Sequence, residues 1–427
     1  MSDITPVIKR GFFSSTDLQN KQVQTSLIPK CGLCKLYETC NSPKMKISGK
    51  GKRKIFILGE GPGRNEDIQG RPFVGESGQL LQQILSRVGI NMREDCWISN
   101  SVICWPWKKE KGSRKNRTPT KKEIDYCRPN VIRAIKELKP EIIVLLGKSA
   151  VRSLIGWLWK EEVGSISRWV GWQIPSQRLN AWVCPTWHPS HLLHSETEGD
   201  DEDSEGQGSE VLKLLFERHL ENASQLTSRP YQTIPDFKSM TKRIINDVEA
   251  SREVKKLMEM NKPLSFDYET NRLKPDHRDA RIVCCSVSDG ETSVAFPWQG
   301  KVVKTMKFFL DSNIPKIGYN ALFETRWTKR ELRVDVNNWI WDGMLAAHVL
   351  DNRKKITGLK FQSFVLLGQE SYDDVVKPFF YTEGSNIENR IREVSLDKLL
   401  TYCAMDSLLE WKVAEIQMTQ LDFSMEL

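Results

Sequence analysis

No stretch of the 427 residues is long and apolar enough to cross a bilayer, and no apolar signal segment opens the chain. The ten cysteines are not spaced as a disulfide framework. These absences predict a protein of a reducing cytosol with no membrane partner. No internal repeat is present. Residues 196–205 (ETEGDDEDSE) hold seven acids and no base, so the remainder is more basic than the net charge of +8 suggests. A basic surface fits a polyanion, since phosphate contacts dominate nucleic-acid affinity. The length predicts two or three domains.

Between 54 and 190, short apolar runs alternate with helical patterns. Lys54–Gly59, Trp97–Cys104, Glu141–Gly147 and Trp182–Thr186 read as buried parallel strands, with helices at 77–88, 120–137 and 148–156 between them. This predicts an α/β domain, a parallel sheet covered on both faces in three α/β/α layers. Ligands of such sheets bind beyond the carboxyl ends of the strands. The acidic segment 195–209 reads as a solvated loop, and 210–225 as a closing amphipathic helix. Beyond 235, Leu264–Tyr268, Arg281–Val287 and Thr292–Phe296 read as consecutive strands. Helical patterns follow at 302–310, 321–331, 342–351 and 395–418, an α+β order with a mixed sheet. The expected domains are 25–228 and 235–427, after a disordered arm over 1–24.

Four segments near the ends of apolar runs stand together: Gly59-Glu60-Gly61-Pro62-Gly63 with Glu66-Asp67, Gly70-Arg71-Pro72-Phe73-Val74-Gly75, Ile98-Ser99-Asn100, and His188-Pro189-Ser190. Around them lie Cys31, Cys34, Cys104 and Cys127. A lone Cys-x2-Cys without a second pair leaves zinc and [4Fe–4S] both open, with Cys40 a rival ligand. Together these segments resemble the family 4 uracil-DNA glycosylases. That resemblance implies a [4Fe–4S] cluster on the four cysteines. It also implies a pocket for flipped-out uracil: Phe73 stacks on the base, Asn100 reads its O4 and N3–H edge, and Glu60 and Gly61 line it. His188 then donates to O2 as the base departs. Gly61 stands where other uracil glycosylases hold a water-positioning aspartate, which makes Glu66 the candidate for that task. Ser190 is expected on phosphate, and Leu192 as the wedge that fills the vacated stack. An insertion over 105–117 (WPWKKEKGSRKNR) separates Cys104 from Cys127. Its Lys108, Lys109, Arg114, Lys115 and Arg117 are candidate phosphate contacts, with Trp105 or Trp107 stacking on an exposed base.

In the second half, Asp267-x-Glu269 puts two carboxylates on one face of a strand. Asn320-x3-Glu324 and Tyr402-x3-Asp406 add a third and a fourth, and a phenol one helical turn from the last. The set resembles a DnaQ-like 3′–5′ exonuclease, most of all the proofreading domain of phage family A DNA polymerases, with an RNase H-like fold. The resemblance implies two Mg²⁺ or Mn²⁺ on Asp267, Glu269, Glu324 and Asp406, with Tyr402 orienting the attacking water. That family usually shows aspartate where Glu324 stands, and Asp342 resembles a structural acid downstream. The expected protein cuts uracil from DNA and degrades DNA from the 3′ end. The alternative is an exonuclease whose first domain only reads uracil or a modified base. After Gln420 no thumb, fingers or palm follows. The expectation is therefore a free-standing repair protein or a partner of a separate polymerase chain, in the cytoplasm (of the host, if phage-encoded).

Overall fold

A computed structural model describes residues 28–194, 205–226, 229–230, 234–384 and 387–423. The arm 1–24 and residues 195–204 of the acidic segment lie outside them. Residues 205–209, expected in a loop, instead open the helix Glu205–Ser224.

The chain forms two compact units, one of residues 1–171 and 181–228 and one of 172–180 and 229–427. In the first, strands β1 (Ile55–Gly59), β2 (Cys96–Asn100) and β5 (Ile142–Leu146) run parallel. The insertion forms a hairpin, β3 (Trp107–Glu110) and β4 (Ser113–Asn116). The short strand β6 (Ile174–Ser176), in a stretch expected in the first domain, belongs to the second unit. Strand β7 (Ala181–Thr186) pairs with β5, giving the order β2–β1–β5–β7. Every residue of β1 and β5 is buried, as a sheet covered on both faces requires. Ile55, Ile57, Ile142 and Val144 pack with Leu81 and Leu85 of helix Glu76–Arg87 and Phe216 and Leu220 of helix Glu205–Ser224. Successive strand residues face opposite ways, so Phe56, Leu58, Ile143 and Leu145 bury the other face. There helix Gly147–Leu158 meets β1 and β5 and packs beside Lys121–Leu138. The apolar run 97–104 outlasts its strand. The Ser101 N–H (2.9 Å) and Oγ (2.7 Å) both donate to the Gly59 carbonyl, turning the chain away after Asn100.

The second unit has a mixed sheet: β8 (Thr241–Arg243), β9 (Leu264–Thr270), β10 (Ile282–Ser288), β11 (Ser293–Pro297), β12 (Lys316–Gly318) and β13 (Trp339–Asp342), in the order β13–β12–β9–β10–β11–β8. β9, β10 and β11 are antiparallel neighbours, and the outer pairs are parallel. Helices Asp247–Glu259 and Gly300–Asp311 pack together on the cluster around Phe266, Phe296 and Trp327. The long helix Leu396–Gln420 packs against β8, β9, β10 and β11. The strands β8, β12 and β13 are too short to carry a period of their own.

Candidate active sites

Cys31 and Cys34 form a single helical turn, Cys127 lies on helix Lys121–Leu138, and Cys104 lies four residues past the end of β2, not at a strand end. All four line one opening of about 320 Å³, part of it solvent, with Leu36, Tyr37 and Tyr126. The Lys44 N–H lies 3.3 Å from the Cys104 sulfur, and the Asn130 amide donates to Cys127 at 3.5 Å. Burial, with the neighbouring cysteines, pushes the Cys104 thiol up to about 12 and Cys127 up to about 11. Cys40 does not line the opening; its thiol bonds the Leu36 carbonyl at 3.0 Å. Asp67, fully buried, accepts from Asn41 N (2.9 Å), Asn41 Nδ2 (3.0 Å) and Ser42 N (3.0 Å), locking the cysteine segment to helix Arg64–Gln69. Cys96, Cys184, Cys284, Cys285 and Cys403 are buried in the cores.

Asn100 ends β2 in register with Gly59 at the end of β1. A Cβ on Gly59 would lie 2.5 Å from Asn100 Oδ1 and 2.5 Å from Phe73 Cζ, so the amide and the ring meet over bare backbone. Glu60, the next residue, accepts from Ser149 Oγ at 2.7 Å. Gly61 packs tightly too: a Cβ there would meet Val102 at 2.8 Å, so an aspartate would have to displace that methyl. Phe73 sits at φ +54°, a strained region for an aromatic residue. Two side chains hold it there. Arg93 donates to the carbonyls of Pro72 (3.0 Å) and Phe73 (2.8 Å), and Glu66 accepts from the N–H groups of Gly63 (3.1 Å), Val74 (3.1 Å) and Gly75 (2.9 Å). Both Glu66 oxygens thus accept from backbone, and Glu66 shapes the loop. Arg93 had no motif to reveal it.

The His188 ring lies 6.1 Å from Phe73, tilted 31°. The Ser190 N–H donates to Nδ1 (3.2 Å), and Ser190 Oγ lies 2.7 Å from the same nitrogen. An Nδ1 that accepts leaves the proton on Nε2. Burial pulls His188 down to about 4, so the ring is neutral at pH 7 and still a donor. Ser190 therefore orients the imidazole instead of standing free for a phosphate. Leu192 is fully buried in the core among Leu81, Phe216 and Leu220 and cannot wedge into a duplex; His191 beside it is exposed. In the hairpin, Trp105 is buried with its Nε1 on Asn116 (2.8 Å). The Trp105 indole is thus not open to a base, and the Trp107 ring, half-buried, carries Arg114 over one face at 4.4 Å. Arg117 forks onto Glu123 (2.8 and 2.7 Å), and Lys108 pairs with Glu110 (2.9 Å). Lys109 and Lys115 point to solvent on opposite strands.

In the second unit the carboxylates converge. Asp267 and Glu269 stand on β9, Glu324 on the first turn of helix Ala321–Leu332, and Asp406 on helix Leu396–Gln420. Burial, then the charge of Asp406 or Asp267, holds Asp267, Glu269 and Glu324 well above the usual carboxylate range. Asp267, Glu269 and the Cys403 thiol place ligand atoms within 4.8 Å of one another, a spacing that a metal ion can bridge. Asp406 accepts from Lys360 and from the Tyr372 hydroxyl, and the Lys360 ammonium lies over the rings of Tyr372 (4.0 Å) and Tyr402 (4.3 Å). Burial and Asp406 push the Tyr402 phenol well up, so it keeps its proton. Asp342 accepts from the N–H groups of Asn320, Ala321, Met344 and Leu345 (2.9–3.3 Å), a cap for two helices. Lys360, Tyr372 and Glu410 were missed. Glu410 alone left a trace, an acid on the buried stripe of a helix.

Known proteins match the two units separately. A family model, uracil DNA glycosylase superfamily, matches residues 47–207, and another, 3′–5′ exonuclease, matches 242–421. The type-4 uracil-DNA glycosylase of Saccharolobus solfataricus is 33% identical over 183 residues, 42% of this chain and 79% of that protein. That of Pyrobaculum aerophilum is 36% identical over 171 residues, 39% and 81%. A DNA polymerase of Bacillus phage SP01 is 24% identical over 372 residues, 81% of this chain but 38% of the polymerase. Among solved structures, Brucella melitensis NrnC is similar at 16% identity and a TM-score of 0.32, covering 43% of this chain and 80% of that one. The chain belongs, through its first unit, to the type-4 uracil-DNA glycosylases, and its second unit is a 3′–5′ exonuclease domain.

Proposed function

We propose that the chain removes uracil from DNA by hydrolysing its glycosidic bond and shortens DNA from the 3′ end by metal-dependent hydrolysis, with domains over 25–228, less the stretch 172–180, and 235–427. The observation that carries the first activity is the His188 imidazole, whose Nδ1 accepts from Ser190 and so leaves Nε2–H as a donor, beside the Phe73 ring that meets Asn100 over Gly59. A flipped uracil stacked on Phe73 presents O4 and N3–H to the Asn100 amide, and Glu60 and Gly61 close the floor. As the bond to the sugar lengthens, charge gathers on O2 and the Nε2–H stabilises it. A donor that is already in place costs no reorganisation, which favours the transition state. Lys109 and Lys115 would meet phosphates.

Cys31, Cys34, Cys104 and Cys127 would hold a [4Fe–4S] cluster. All four residues line one opening, and a set of four thiolates suits such a cluster. With that group bound, Cys31 and Cys34 would hold the N-terminal segment against Cys104 and Cys127. In the second unit, Asp267, Glu269, Glu324 and Asp406 would hold two Mg²⁺ or Mn²⁺, supplying Lewis acidity and an activated water. The protonated Tyr402 phenol would orient that water, and Lys360 offsets part of the cluster's negative charge. Free thiols throughout suit a reducing cytosol, that of a host if the gene is a phage's. The likeness to a phage polymerase supports a DNA polymerase as a functional partner.

A second reading, a first domain that captures uracil or a modified base without cutting, draws on Glu66, whose oxygens are taken up by backbone. One assay separates the readings. A 5′-labelled, uracil-containing oligonucleotide is scored for alkali-labile sites and for end shortening. Wild type should give both. Asp267→Ala with Glu269→Ala should lose shortening and keep base removal, also in excess EDTA. Wild type that binds uracil-DNA but leaves no alkali-labile site establishes the second reading.

A further inference from the structure

Glu410 lies one helical turn beyond Asp406 on helix Leu396–Gln420, so both side chains leave the same face. It is 2% exposed, and its Oε2 makes no hydrogen bond among the described residues. Glu324 shares both properties: 2% exposed, with Oε2 unpartnered. Asp267, Glu324 and Asp406 are the charges that act most strongly on Glu410, and Lys360 is the one that opposes them. Two enclosed carboxylate oxygens without donors therefore face the same cluster from different helices. A buried polar group left unpaired is costly, and a buried charge more so, unless a cation meets it. Lys360 cannot meet both, because its ammonium is committed to Asp406 and the Tyr372 hydroxyl.

We propose that Glu410 is a fifth carboxylate of the exonuclease centre, which with Glu324 Oε2 completes the seat of one of the two divalent cations. This rests on the exonuclease reading above. It also accounts for glutamate at 324: a longer arm from the helix start, met by a second long arm from the opposite helix, can share one ion.

The test is Mn²⁺ binding to the full chain, read by calorimetry and by the electron paramagnetic resonance of free Mn²⁺, with Asp267→Ala as the blank. Wild type should bind two ions. In Glu410→Gln the weaker constant should rise about tenfold or more, the scale of losing a supporting group at a metal site. Glu324→Gln should weaken the same constant, and the double variant should add little, since both act on one ion. Unchanged Mn²⁺ constants in a folded Glu410→Gln overturn the proposal. So does loss of fold in both Glu410→Gln and Glu410→Met, which keep its volume and would assign it to the core. A wild type that binds no Mn²⁺ and shortens no DNA instead overturns the exonuclease reading itself.

Discussion

At the scale of single residues, the pocket depends on side chains whose state is set by their neighbours. His188 lies well below its ordinary 6.5, at about 4, because burial disfavours its charged form. A depressed histidine contributes stability that is fully present above 6.5 and is lost as pH falls through about 4. Uracil excision should therefore stay flat from about pH 8 to pH 5. A rate that falls with an apparent pKa near 6.5 would show an imidazole that must lose a proton within the working range. His188→Ala should slow base release about 10²–10³-fold with little change in DNA binding, the scale of losing one preorganised donor; single-turnover kinetics with a binding isotherm checks it. Asn100→Asp replaces an amide that both donates and accepts with an acceptor, so the preference for uracil over cytosine should shrink. Competition between uracil- and cytosine-containing strands measures this, and an unchanged ratio would move base reading elsewhere.

Among the elements, glycines set how closely strand ends and helix starts approach. Gly147 opens a helix at φ +81°, and a Cβ there would lie 2.8 Å from that of His188. Gly147→Ala should cost about 1–2 kcal/mol of stability from the left-handed backbone and should also displace the imidazole, reducing excision. Gly89, at φ +73° with nothing within 4 Å, is the control: Gly89→Ala should carry the strain and keep the rate. Equal excision in the two variants would show that Gly147 matters to folding alone. The elements that were readable are those with a period. β1, β5 and the helices around them follow from runs such as IFILG and IIVLL. The hairpin β3–β4 was not, because a strand pair of lysines, arginines and polar groups has no apolar face; Trp107, Arg114 and Thr39 hold it instead.

For the whole molecule, two chemistries lie in separate units, and each should fail alone. Four acids of the second unit, Asp267, Glu269, Glu324 and Glu410, are raised by burial and mutual repulsion. Above the ordinary carboxylate range, the folded state keeps protons that the unfolded state has released. The stability this gives is full at low pH and is lost as pH rises. In EDTA the thermal midpoint should drop between about pH 5 and pH 8, and Mg²⁺ should reverse the drop. A midpoint that rises with pH in EDTA would mean that the cluster is ionised and otherwise satisfied.

The sequence by itself determined the two-part plan, the strand order of motifs and the residue types of both centres. Periodicity and strand-end placement are local properties that survive without coordinates. Only the tertiary structure decided what each polar atom is free to do. Glu66 is spoken for by three backbone donors, Ser190 by His188, and Leu192 by the core, none of which a motif records. It also brought Lys360 and Glu410 to the acids. Hydrogen bonds and burial are formed between residues far apart in the chain, so the role of a side chain is settled by which distant groups the fold brings against it.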